Sequence, residues 1–389
     1  MTAPRVCVLS SVHLLYDVRM FQAEARTLAA AGFAVTVLAI EDPSPPPADA
    51  EAIRTVGLPH SRNRLVRFVR TFQILRRALA EPADIYAFHD PELLPAAALL
   101  RILRRKPVIF DVHEDVPASI RNRDYIIPLL RPLVAAAYRL LERICLPVID
   151  GLSLADHAYA RYYRSRPHAV ILNYPLLTYG DLYRPLSTGN SDRPLLVYTG
   201  SVTRLRGLFE MLEAVDRLRR QIPGVRLRIV GPVGNAQEEA EAQQFIRDRD
   251  LSSAVEFTGL VSHQEVHEHI READVGLALL HPDPNYLRSL PTKMFEYMMM
   301  GRPVVVSDFP LWKEIVEDAG GGYAVDPLDA DAVETALKEL LSDAEARRYM
   351  GEAGRQAVME RYNWQGEGAK LVEIYREVLA ATGSAMTDL

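Results

Sequence analysis

The feature that most constrains the fold of this 389-residue chain is a repeated alternation of short apolar strands with longer amphipathic helices. The first apolar run, RVCVLSS, predicts a buried strand, and the stretch FQAEARTLAAAGF predicts a helix that ends at Gly32. The intervening HLLYDVR predicts a loop, and a second strand, AVTVLAI, follows the helix. A strand, a helix and a strand in such close succession form a βαβ unit, which requires a parallel sheet.

The alternation restarts in the second half of the chain, after an irregular stretch rich in Gly, Ser, Pro and Asn. AVILNYP is predicted to be the last strand of the first sheet, and VVVSD completes the second. A chain of this length can bury two sizeable cores. We therefore predict an N-terminal domain at 1–177, a linker at 178–193, a second domain at 194–365, and a C-terminal helix and tail at 366–389.

Composition places the chain among ordinary soluble globular proteins, with 49% apolar and 25% charged residues. The formal net charge of −6 argues against nucleic acid as the main partner. Cys7 and Cys145 lie in apolar surroundings far apart in sequence and are predicted to be core thiols. No secretory signal peptide and no stretch of roughly 18 uninterrupted apolar residues is seen, so we expect a cytoplasmic protein.

One basic segment, residues 62–77, stands out against this acidic background. It contains six arginines and no acid, and its apolar residues recur at helical spacing. The arginines are Arg62, Arg64, Arg67, Arg70, Arg76 and Arg77. Such a helix can lie peripherally on an anionic membrane, here the inner face, or it can pack its apolar side on the sheet and leave the arginines in water. Both interpretations stay open on sequence alone.

Two histidines follow predicted strands of the first domain. His89 comes directly after ADIYAF, and His113 lies in FDVHED. Ligands of open α/β sheets bind beyond the carboxyl ends of the strands, so both positions are candidates for a binding site, although a lone histidine is more often structural. Asp111, Glu114 and Asp115 beside His113 can raise its pKa or orient its ring.

The stretch RSLPTKMFEYMMMGRPVVVS, residues 288–307, is the most informative about chemistry. Pro291 suits the first turn of a helix, and Gly301 with the proline that follows ends it. Lys293 lies in that first turn and Arg288 just upstream, so positive charge collects at the positive end of the helix dipole. An anion such as a phosphate, bound by the free N–H groups there, would offset this unfavourable arrangement.

A carboxylate and a second cationic loop accompany this predicted anion site. Glu296 lies behind it on the same helix and can accept hydrogen bonds from a ribose; a plain amphipathic helix with solvated Lys and Glu is the alternative. In YTGSVTRLRGLFEML a strand ends at Gly200, two arginines occupy the loop, and Gly207 opens a helix. Two cationic helix starts in one domain suit a diphosphate.

LPTKMFEYMMMGRPVVVS closely resembles the nucleotide-sugar motif of family 4 glycosyltransferases, which are retaining enzymes of the GT-B fold. The resemblance implies an α/β protein with two Rossmann-like parallel-sheet domains that face a central cleft, the first for the acceptor and the second for the donor. It also implies that the final helix, with Trp364 and Tyr375, returns to the first domain. Glu296 matches the second Glu of the family's E-x7-E pair, which binds the ribose, whereas the first Glu is replaced by Arg288.

The resemblance extends to three loops. Arg206 matches the lysine of a Lys-Gly pair that neutralises the donor diphosphate, and Arg204 is expected to supply the charge of a missing arginine at Ser201. His113 matches a histidine that faces the donor sugar. The first loop has Ser10, Ser11 and His13 where many members have two glycines. The implied donor-binding residues are Gly200, Ser201, Arg204, Arg206, Gly231, Val261, Leu290, Pro291, Thr292, Lys293 and Glu296; the implied catalytic residues are His113, Arg206 and Lys293.

The predicted function is transfer of a sugar from a nucleoside-diphosphate donor, with UDP favoured, to a glycan, lipid-linked or small-molecule acceptor, as in polysaccharide biosynthesis. Arg206, Lys293 and the helix amides would stabilise the leaving diphosphate. No Asp-x-Asp motif stands in the usual loop, so we expect no metal and no cofactor besides the co-substrate. With no obvious nucleophilic carboxylate, retention would proceed by front-face displacement, with His113 positioning the donor sugar.

Two other functions remain open on sequence alone. A non-hydrolysing nucleotide-sugar epimerase shares this two-domain architecture. A degenerate transferase that acts only as a binding partner would explain the loss of the first motif Glu at Arg288. A Rossmann dehydrogenase is disfavoured, because no G-x-G-x-x-G follows the first strand.

Overall fold

A computed structural model describes residues 3–43, 46–47, 50–59, 65–121, 126–187, 189 and 191–387, with only the backbone described at 65–69 and 383–387. Contacts divide the chain into an N-terminal unit, Met1–Asn173 with Trp364–Leu389, and a C-terminal unit, Tyr174–Asn363.

The N-terminal unit is built on a parallel sheet, to which its described residues contribute seven strands in the order β3-β2-β1-β4-β5-β6-β7. The strands are β1 Arg5–Leu14, β2 Ala34–Ile40, β3 Arg54–Leu58, β4 Ile85–Phe88, β5 Val108–Val112, β6 Gly151–Leu154 and β7 His168–Val170. The strand order reverses between β1 and β4, and ligands of open α/β sheets bind beside such a switch point.

Helices connect these strands and cover both faces of the sheet. A π-helix at Val18–Ala25 leads into the first α-helix, and short 3-10 turns occur at Ala50–Ala52, Pro91–Leu93, Pro128–Leu130 and Leu146–Val148. The α-helices are α1 Arg26–Ala30, α2 Leu65–Ala80, α3 Leu94–Arg104, α4 Val116–Arg121, α5 Arg131–Cys145 and α6 His157–Ala160. Because both faces are covered, the apolar run at the start of β1 is almost wholly buried. Cys7 and Cys145 are buried free thiols, as predicted.

The C-terminal unit repeats the architecture, and its described residues form six parallel strands in the order β10-β9-β8-β11-β12-β13. The strands are β8 Leu195–Thr199, β9 Arg226–Val230, β10 Val255–Phe257, β11 Val275–Ala278, β12 Val304–Ser307 and β13 Gly322–Val325. The α-helices are α7 Leu208–Leu218, α8 Ala236–Asp248, α9 His263–Glu272, α10 Thr292–Met299, α11 Pro310–Ala319, α12 Ala330–Ser342 and α13 Ala344–Glu360, with 3-10 helices at Leu177–Leu182 and Arg204–Arg206. The switch point here lies between β8 and β11.

The last helix, α14 (Trp364–Thr387), belongs to the N-terminal unit. The Trp364 indole N–H donates to Thr27 Oγ1 at 2.8 Å. The Glu367 carboxylate accepts a hydrogen bond of 2.8 Å from the backbone N–H of Leu172, just beyond β7. These contacts attach the C-terminal end of the chain to the first sheet.

The fold class is confirmed, since both units are parallel-sheet α/β structures. Several elements differ from the prediction. β1 runs on to Leu14, through part of the predicted loop. Of the predicted strand AVILNYP, only Ala169 and Val170 lie in a strand, β7. VVVSD does not complete the second sheet, because β13 pairs beyond it. β3, α11 and β13 were not predicted; β3 and β13 are short and mostly half-buried, so they lack a strong apolar signature.

The unit limits lie a few residues from the predicted domain limits at 177 and 365. Tyr174 falls in the C-terminal unit because its ring packs against Phe295 and Tyr362, with centroids 4.9 and 5.7 Å away. The helix at Leu177–Leu182 occupies part of the predicted linker and contacts α9.

The basic segment forms α2 in its described part, and the buried side chains of Ile74 and Ala78 join the core. Arg70 is also buried and donates to the carbonyls of Ser11 and Pro59 at 2.9 and 3.0 Å. Arg62 and Arg64 lie outside the described residues. No helix among the described residues combines the length and apolarity needed to cross a membrane.

Candidate functional site

The C-terminal unit brings two of the predicted glycines together at its switch point. Gly200 follows β8 with φ +96°, and its N–H donates to the Val230 carbonyl at 2.8 Å. A Cβ at Gly231, which follows β9 with φ +144°, would lie 2.3 Å from the Gly200 carbonyl oxygen. Only glycine allows this backbone approach, and both loops are thereby fixed beside the start of α10.

Lys293 projects from the first turn of α10 toward this pair of loops. A Cβ on Gly200 would lie 3.5 Å from the Lys293 Nζ, and the Nζ lies 3.9 Å from the centre of the Tyr198 ring. Burial, together with the nearby charge of Arg206, lowers the pKa of Lys293 to about 7. A partly buried cation with a depressed pKa gains stability from a bound anion.

Arg206 is the second cation at this position. Its Nη1 donates to the Ser201 carbonyl at 2.9 Å, and its Nε donates to the Tyr286 hydroxyl at 3.3 Å. The next residue, Gly207, has φ +81°, and a Cβ there would lie 2.1 Å from the Leu279 carbonyl oxygen. The loop after β8 is therefore pressed against the end of β11, which places the guanidinium close enough to Lys293 to lower its pKa.

Glu296 lies one turn further along α10 and meets two histidines that the sequence analysis did not identify. The His263 Nε2 lies 3.5 Å from the Glu296 Oε1. His267 is buried, its ring stacks on Tyr179 with centroids 4.2 Å apart, and its Nδ1 contacts the His263 carbonyl at 2.8 Å. Burial by itself raises the pKa of Glu296, but the His263 hydrogen bond and neighbouring positive charge hold it below the ordinary value. The signal in the sequence was a pair of histidines four residues apart on α9.

A buried tyrosine holds α10 in this position. The Tyr297 hydroxyl accepts a hydrogen bond of 2.8 Å from the backbone N–H of Thr199, at the end of β8. The Tyr297 ring fills the space above Gly276 in β11, where a Cβ would lie 2.3 Å from the ring. The motif helix is thus tied to the two strands that flank the switch point.

The other predicted donor-site residues lie around the group formed by Lys293, Arg206 and Glu296. Pro291 precedes the first helical residue, Thr292, as the N-cap of α10. Val261 and Leu290 are half-buried and pack against the apolar cluster around the motif helix. Arg288 is exposed. Arg204 is also exposed, and its Nη2 pairs with the Glu241 Oε2 at 2.5 Å while its guanidinium covers the Phe209 ring. This pairing does not favour the predicted diphosphate role of Arg204.

In the N-terminal unit, Asp111 at the end of β5 is the centre of a buried charge network. The Arg19 Nη2 donates to Asp111 Oδ1 at 2.9 Å, and the Ser153 hydroxyl donates to the same oxygen at 2.7 Å. The Asp111 Oδ2 lies 3.2 Å from the His89 Nδ1 and 3.6 Å from the His113 Nδ1. The two histidines that the sequence singled out therefore share one carboxylate.

This network perturbs several protonation equilibria. Burial by itself lowers the pKa of His89, but Glu24 and Asp111 outweigh it and raise the pKa to about 9. Burial, with the added charge of Asp111, raises the pKa of Glu24 to about 7. Burial also lowers the pKa of His113, but the contact with Asp111 outweighs burial and raises this pKa above its ordinary value. His113 is the more accessible histidine, with 27% of its side chain exposed.

The C-terminal part of β1, beyond the register shift after Leu9, adds a third histidine to this cluster. The ring centre of His13 lies 5.6 Å from that of His113 and 6.1 Å from that of His89. This part of β1 is held by Asp90, whose Oδ2 accepts from the Ser10 hydroxyl at 2.7 Å and from the Ser11 N–H at 2.6 Å. Ser10 and Ser11 thus fix the end of the strand through side-chain and backbone donors.

A cavity of about 310 Å³ opens beside His113 within the N-terminal unit. Tyrosines and charged residues from the loop after β5, from α5 and from the region of α6 form its walls. Among them are Tyr138, Tyr159, Tyr162, Tyr163, Glu114, Asp115, Arg139, Glu142 and Arg143. Aromatic faces with charged hydrogen-bonding groups at their edges are suited to a polyhydroxylated ring.

Two groups of side chains have the composition of a metal site. The potential ligand atoms lie within 4.8 Å of one another in His89, Asp111 and His113, and likewise in His263, His267 and Glu296. Asp111 already accepts hydrogen bonds from Arg19 and Ser153, so a cation there would compete with a guanidinium. The second group offers two imidazoles and one carboxylate, a set that suits zinc.

Family models match both units of the chain. Residues 18–174 match the model described as glycosyl transferase 4-like domain, and residues 183–357 match the model described as glycosyl transferases group 1. The chain belongs to the family 4-type glycosyltransferases. The resemblance recognised in the sequence around Glu296 is therefore confirmed.

Curated relatives within this family are about a quarter to a third identical to the chain over the aligned residues only. Alpha-D-kanosaminyltransferase from Streptomyces kanamyceticus is 30% identical over 190 residues, which cover 49% of this chain and 47% of that protein. MMP alpha-(1->4)-mannosyltransferase from Mycolicibacterium hassiacum is 23% identical over 338 residues, which cover 84% of this chain and 77% of that protein. The chain spans about half the length of most of the curated relatives it matches.

Solved structures of GT-B proteins are similar over nearly the whole chain. Sucrose-phosphate synthase from Thermosynechococcus elongatus has a TM-score of 0.74 and 20% identity, and covers 97% of this chain and 100% of its own. HepE from Anabaena, solved in complex with UDP and glucose, has a TM-score of 0.71 and 14% identity, with coverages of 96% and 99%. These similarities show the GT-B fold for this family 4-type chain.

Proposed function

We propose that this protein transfers a glycosyl group from a nucleoside-diphosphate sugar to an acceptor. The observation that carries the proposal is the convergence of Lys293 and Arg206 at the N-terminus of α10, with Glu296 one turn behind them. Two cations and free helix N–H groups match a diphosphate, and an ionised, partly buried carboxylate matches the vicinal hydroxyls of a ribose.

In the proposed reaction, the diphosphate leaves as the bond to the sugar breaks. The charge that develops on it is stabilised by Lys293 and Arg206 in a preorganised, partly buried site. These residues would do the work of a divalent cation, so we propose a metal-independent reaction, and the family resemblance supports retention of configuration. Addition of EDTA should leave the rate unchanged; a loss of activity restored by a divalent cation would contradict metal independence.

The N-terminal unit is proposed to supply the acceptor side of the reaction. The tyrosine-lined cavity beside His113 has the character of a carbohydrate or polyol site, and His113 is proposed to position the donor sugar. One relative is named for a phosphatidylinositol monomannoside acceptor and another for D-inositol 3-phosphate, so the names support a polyol or glycolipid acceptor without selecting one of them.

UDP is the donor nucleotide we favour. HepE was solved with UDP, whereas a relative in Mycolicibacterium smegmatis is named for GDP-mannose, so family membership does not fix the base. A thermal-shift screen against UDP-, GDP-, ADP- and dTDP-sugars would identify the donor. Consumption of that donor only in the presence of an acceptor identifies a transferase; isomerisation of the donor alone identifies an epimerase; binding without turnover identifies a degenerate transferase.

Two arginines of one loop provide a matched test of the phosphate site. Arg206→Ala should weaken binding of the nucleoside diphosphate by about 10- to 100-fold, because a charged hydrogen-bond donor is lost, and should affect the free nucleoside far less. Arg204→Ala should have the smaller effect, since Glu241 already holds that side chain. Isothermal titration calorimetry with UDP and with uridine measures the binding affinity for each ligand. Equal losses for both ligands in Arg206→Ala would contradict the assignment.

A further inference from the structure

An apolar surface that none of the described residues covers lies on the outer side of α5 and the turn before it. We define the α5 face as five residues whose side chains are largely exposed despite being apolar. They are Ile127 (65%), Leu129 (87%), Leu133 (67%), Leu140 (61%) and Ile144 (64%). Such a concentration of exposed aliphatic side chains is unusual on the free surface of a soluble domain and marks an interaction site.

The neighbouring helix α3 extends this surface. α3 contacts α5, and two apolar residues near its C-terminal end, Ile102 and Leu103, are 59% and 56% exposed. The opposite side of α5 packs inward through Ala135 and Cys145, both buried. α5 therefore carries apolar side chains both on the side that packs into the unit and on the side that faces solvent.

The charges on this surface are of one sign. The exposed charged side chains of α3 and α5 are Arg104, Arg139 and Arg143, and Arg105 directly follows α3. Between residues 126 and 149 the sequence has a single acid, Glu142, which is half-buried and accepts a hydrogen bond of 2.7 Å from the Tyr163 hydroxyl. This local excess of positive charge contrasts with the net charge of −6 for the whole chain.

We propose that the α5 face is a docking surface for a bilayer that contains anionic lipids. Exposed aliphatic side chains flanked by arginines match both the acyl region and the negative headgroups, and arginine side chains can reach the headgroups while their stems stay in apolar surroundings. A second copy of the chain fits less well, because symmetric pairing of this face would bring Arg139 and Arg143 against like charges.

The location of the surface also has a consequence for the acceptor. α5 forms one wall of the cavity beside His113 through Tyr138, Glu142 and the two arginines Arg139 and Arg143, which lie between the cavity and the α5 face. The α5 face itself would rest on the bilayer. A lipid-linked acceptor would then reach the cavity from the membrane, an implication that rests on the proposed transferase function. Docking itself does not depend on turnover.

Vesicle co-sedimentation tests docking without any assay of activity. The wild-type protein should bind vesicles of phosphatidylcholine with roughly one-third phosphatidylglycerol, and bind pure phosphatidylcholine much more weakly. Leu133→Glu combined with Leu140→Glu should reduce binding at least about tenfold, because two aliphatic contacts are replaced by charges of the wrong sign. Both positions are exposed, so the circular dichroism spectrum and the melting temperature should not change.

The matched control is Phe72→Glu, which places the same charge on the other exposed amphipathic helix of the unit, α2, where Phe72 is 74% exposed. This variant should bind vesicles like the wild type. The proposal is overturned if the wild type does not bind anionic vesicles, or if Phe72→Glu loses binding while the α5 double variant keeps it. It is also overturned if the α5 substitutions dissociate a dimer and leave vesicle binding intact.

Discussion

At the scale of single residues, two partly buried ionisable groups on one helix dominate the C-terminal unit. Lys293 and Glu296 are three positions apart on α10 and therefore lie on neighbouring parts of its surface. The pKa of the lysine is lowered to about 7, by burial and then by Arg206, and the pKa of the glutamate is held below its ordinary value. Near neutral pH the carboxylate is ionised while the amine is only partly protonated.

This protonation state predicts a pH-dependent affinity for the nucleoside diphosphate. Bound diphosphate raises the pKa of Lys293, so binding above pH 7 takes up a proton, and affinity falls as the pH rises above 7, by at most about tenfold per unit. Calorimetry with UDP at several pH values above 7, in buffers of different ionisation enthalpy, measures both the affinity and the number of protons taken up on binding. The Lys293→Met variant should bind UDP weakly, with an affinity that does not depend on pH. A wild-type affinity for UDP that does not change above pH 7 would contradict the prediction.

Glu296 is predicted to accept hydrogen bonds from the ribose of the nucleotide. Glu296→Gln should weaken binding of both UDP and uridine, because the ribose hydroxyls lose a charged acceptor worth roughly 1.5–3 kcal/mol. The control is Glu265→Gln, which makes the same change at an exposed residue of α9 that bonds to Ser262. Unchanged dissociation constants for Glu296→Gln would remove Glu296 from the site.

At the scale of elements, the position of α10 depends on one buried hydroxyl. The helix has no side-chain cap at its N-terminus, and the Tyr297 hydroxyl joins it to the end of β8 through the Thr199 N–H. The close contact of the Tyr297 ring with Gly276 joins it to β11. The anion site is therefore built on a helix whose placement is decided by packing.

Removal of that hydroxyl should be costly. Tyr297→Phe leaves the buried N–H of Thr199 without its acceptor and should lower the free energy of unfolding by about 1–3 kcal/mol, with weaker UDP binding. Chemical denaturation followed by circular dichroism measures the first quantity. Tyr323→Phe removes a hydroxyl that bonds to Glu339 at the surface and should change stability little. Equal stability of both variants would show that the hydroxyl does not hold the helix.

At the scale of the whole molecule, the candidate residues divide between the two units. The diphosphate and ribose groups all belong to the C-terminal unit, whereas His113 and the tyrosine-lined cavity belong to the N-terminal unit. We therefore expect substitutions in the two units to affect different kinetic quantities. Donor binding should depend on the C-terminal unit, and turnover should require His113 in addition.

His113→Ala should lower kcat by about a hundredfold while leaving the dissociation constant of UDP nearly unchanged, an effect on the transition state alone. Steady-state kinetics with the donor and acceptor found by screening, beside nucleotide titration, separates the two quantities. His157→Ala changes an exposed histidine of the same unit and is the control. If His113→Ala keeps near wild-type turnover, His113 has no role in turnover. If the variant loses both turnover and UDP affinity, His113 stabilises the structure of the unit.

Much of the candidate site was predictable because its pattern is local. The helical period placed Lys293 and Glu296 on one helix, and the glycines after β8 and β9 marked the sharp loops there. Arg204 was not predictable in the same way, since its partner Glu241 lies on α8 and no local spacing links them. Similarly, His263 and His267 were visible as a pair, but their meeting with Glu296 depends on the packing of α9 beside α10.

The sequence by itself determined two parallel sheets, the order of most strands and helices, and the cationic start of α10, because each of these follows from the spacing of residues close together in the chain. Only the tertiary structure decided which charges are paired. Arg19, His89, Asp111 and Ser153 come from four separate segments, and their hydrogen bonds form only when the sheet brings those segments to one edge. Burial at that edge then sets their protonation, since the cost of a buried charge depends on what surrounds it in space.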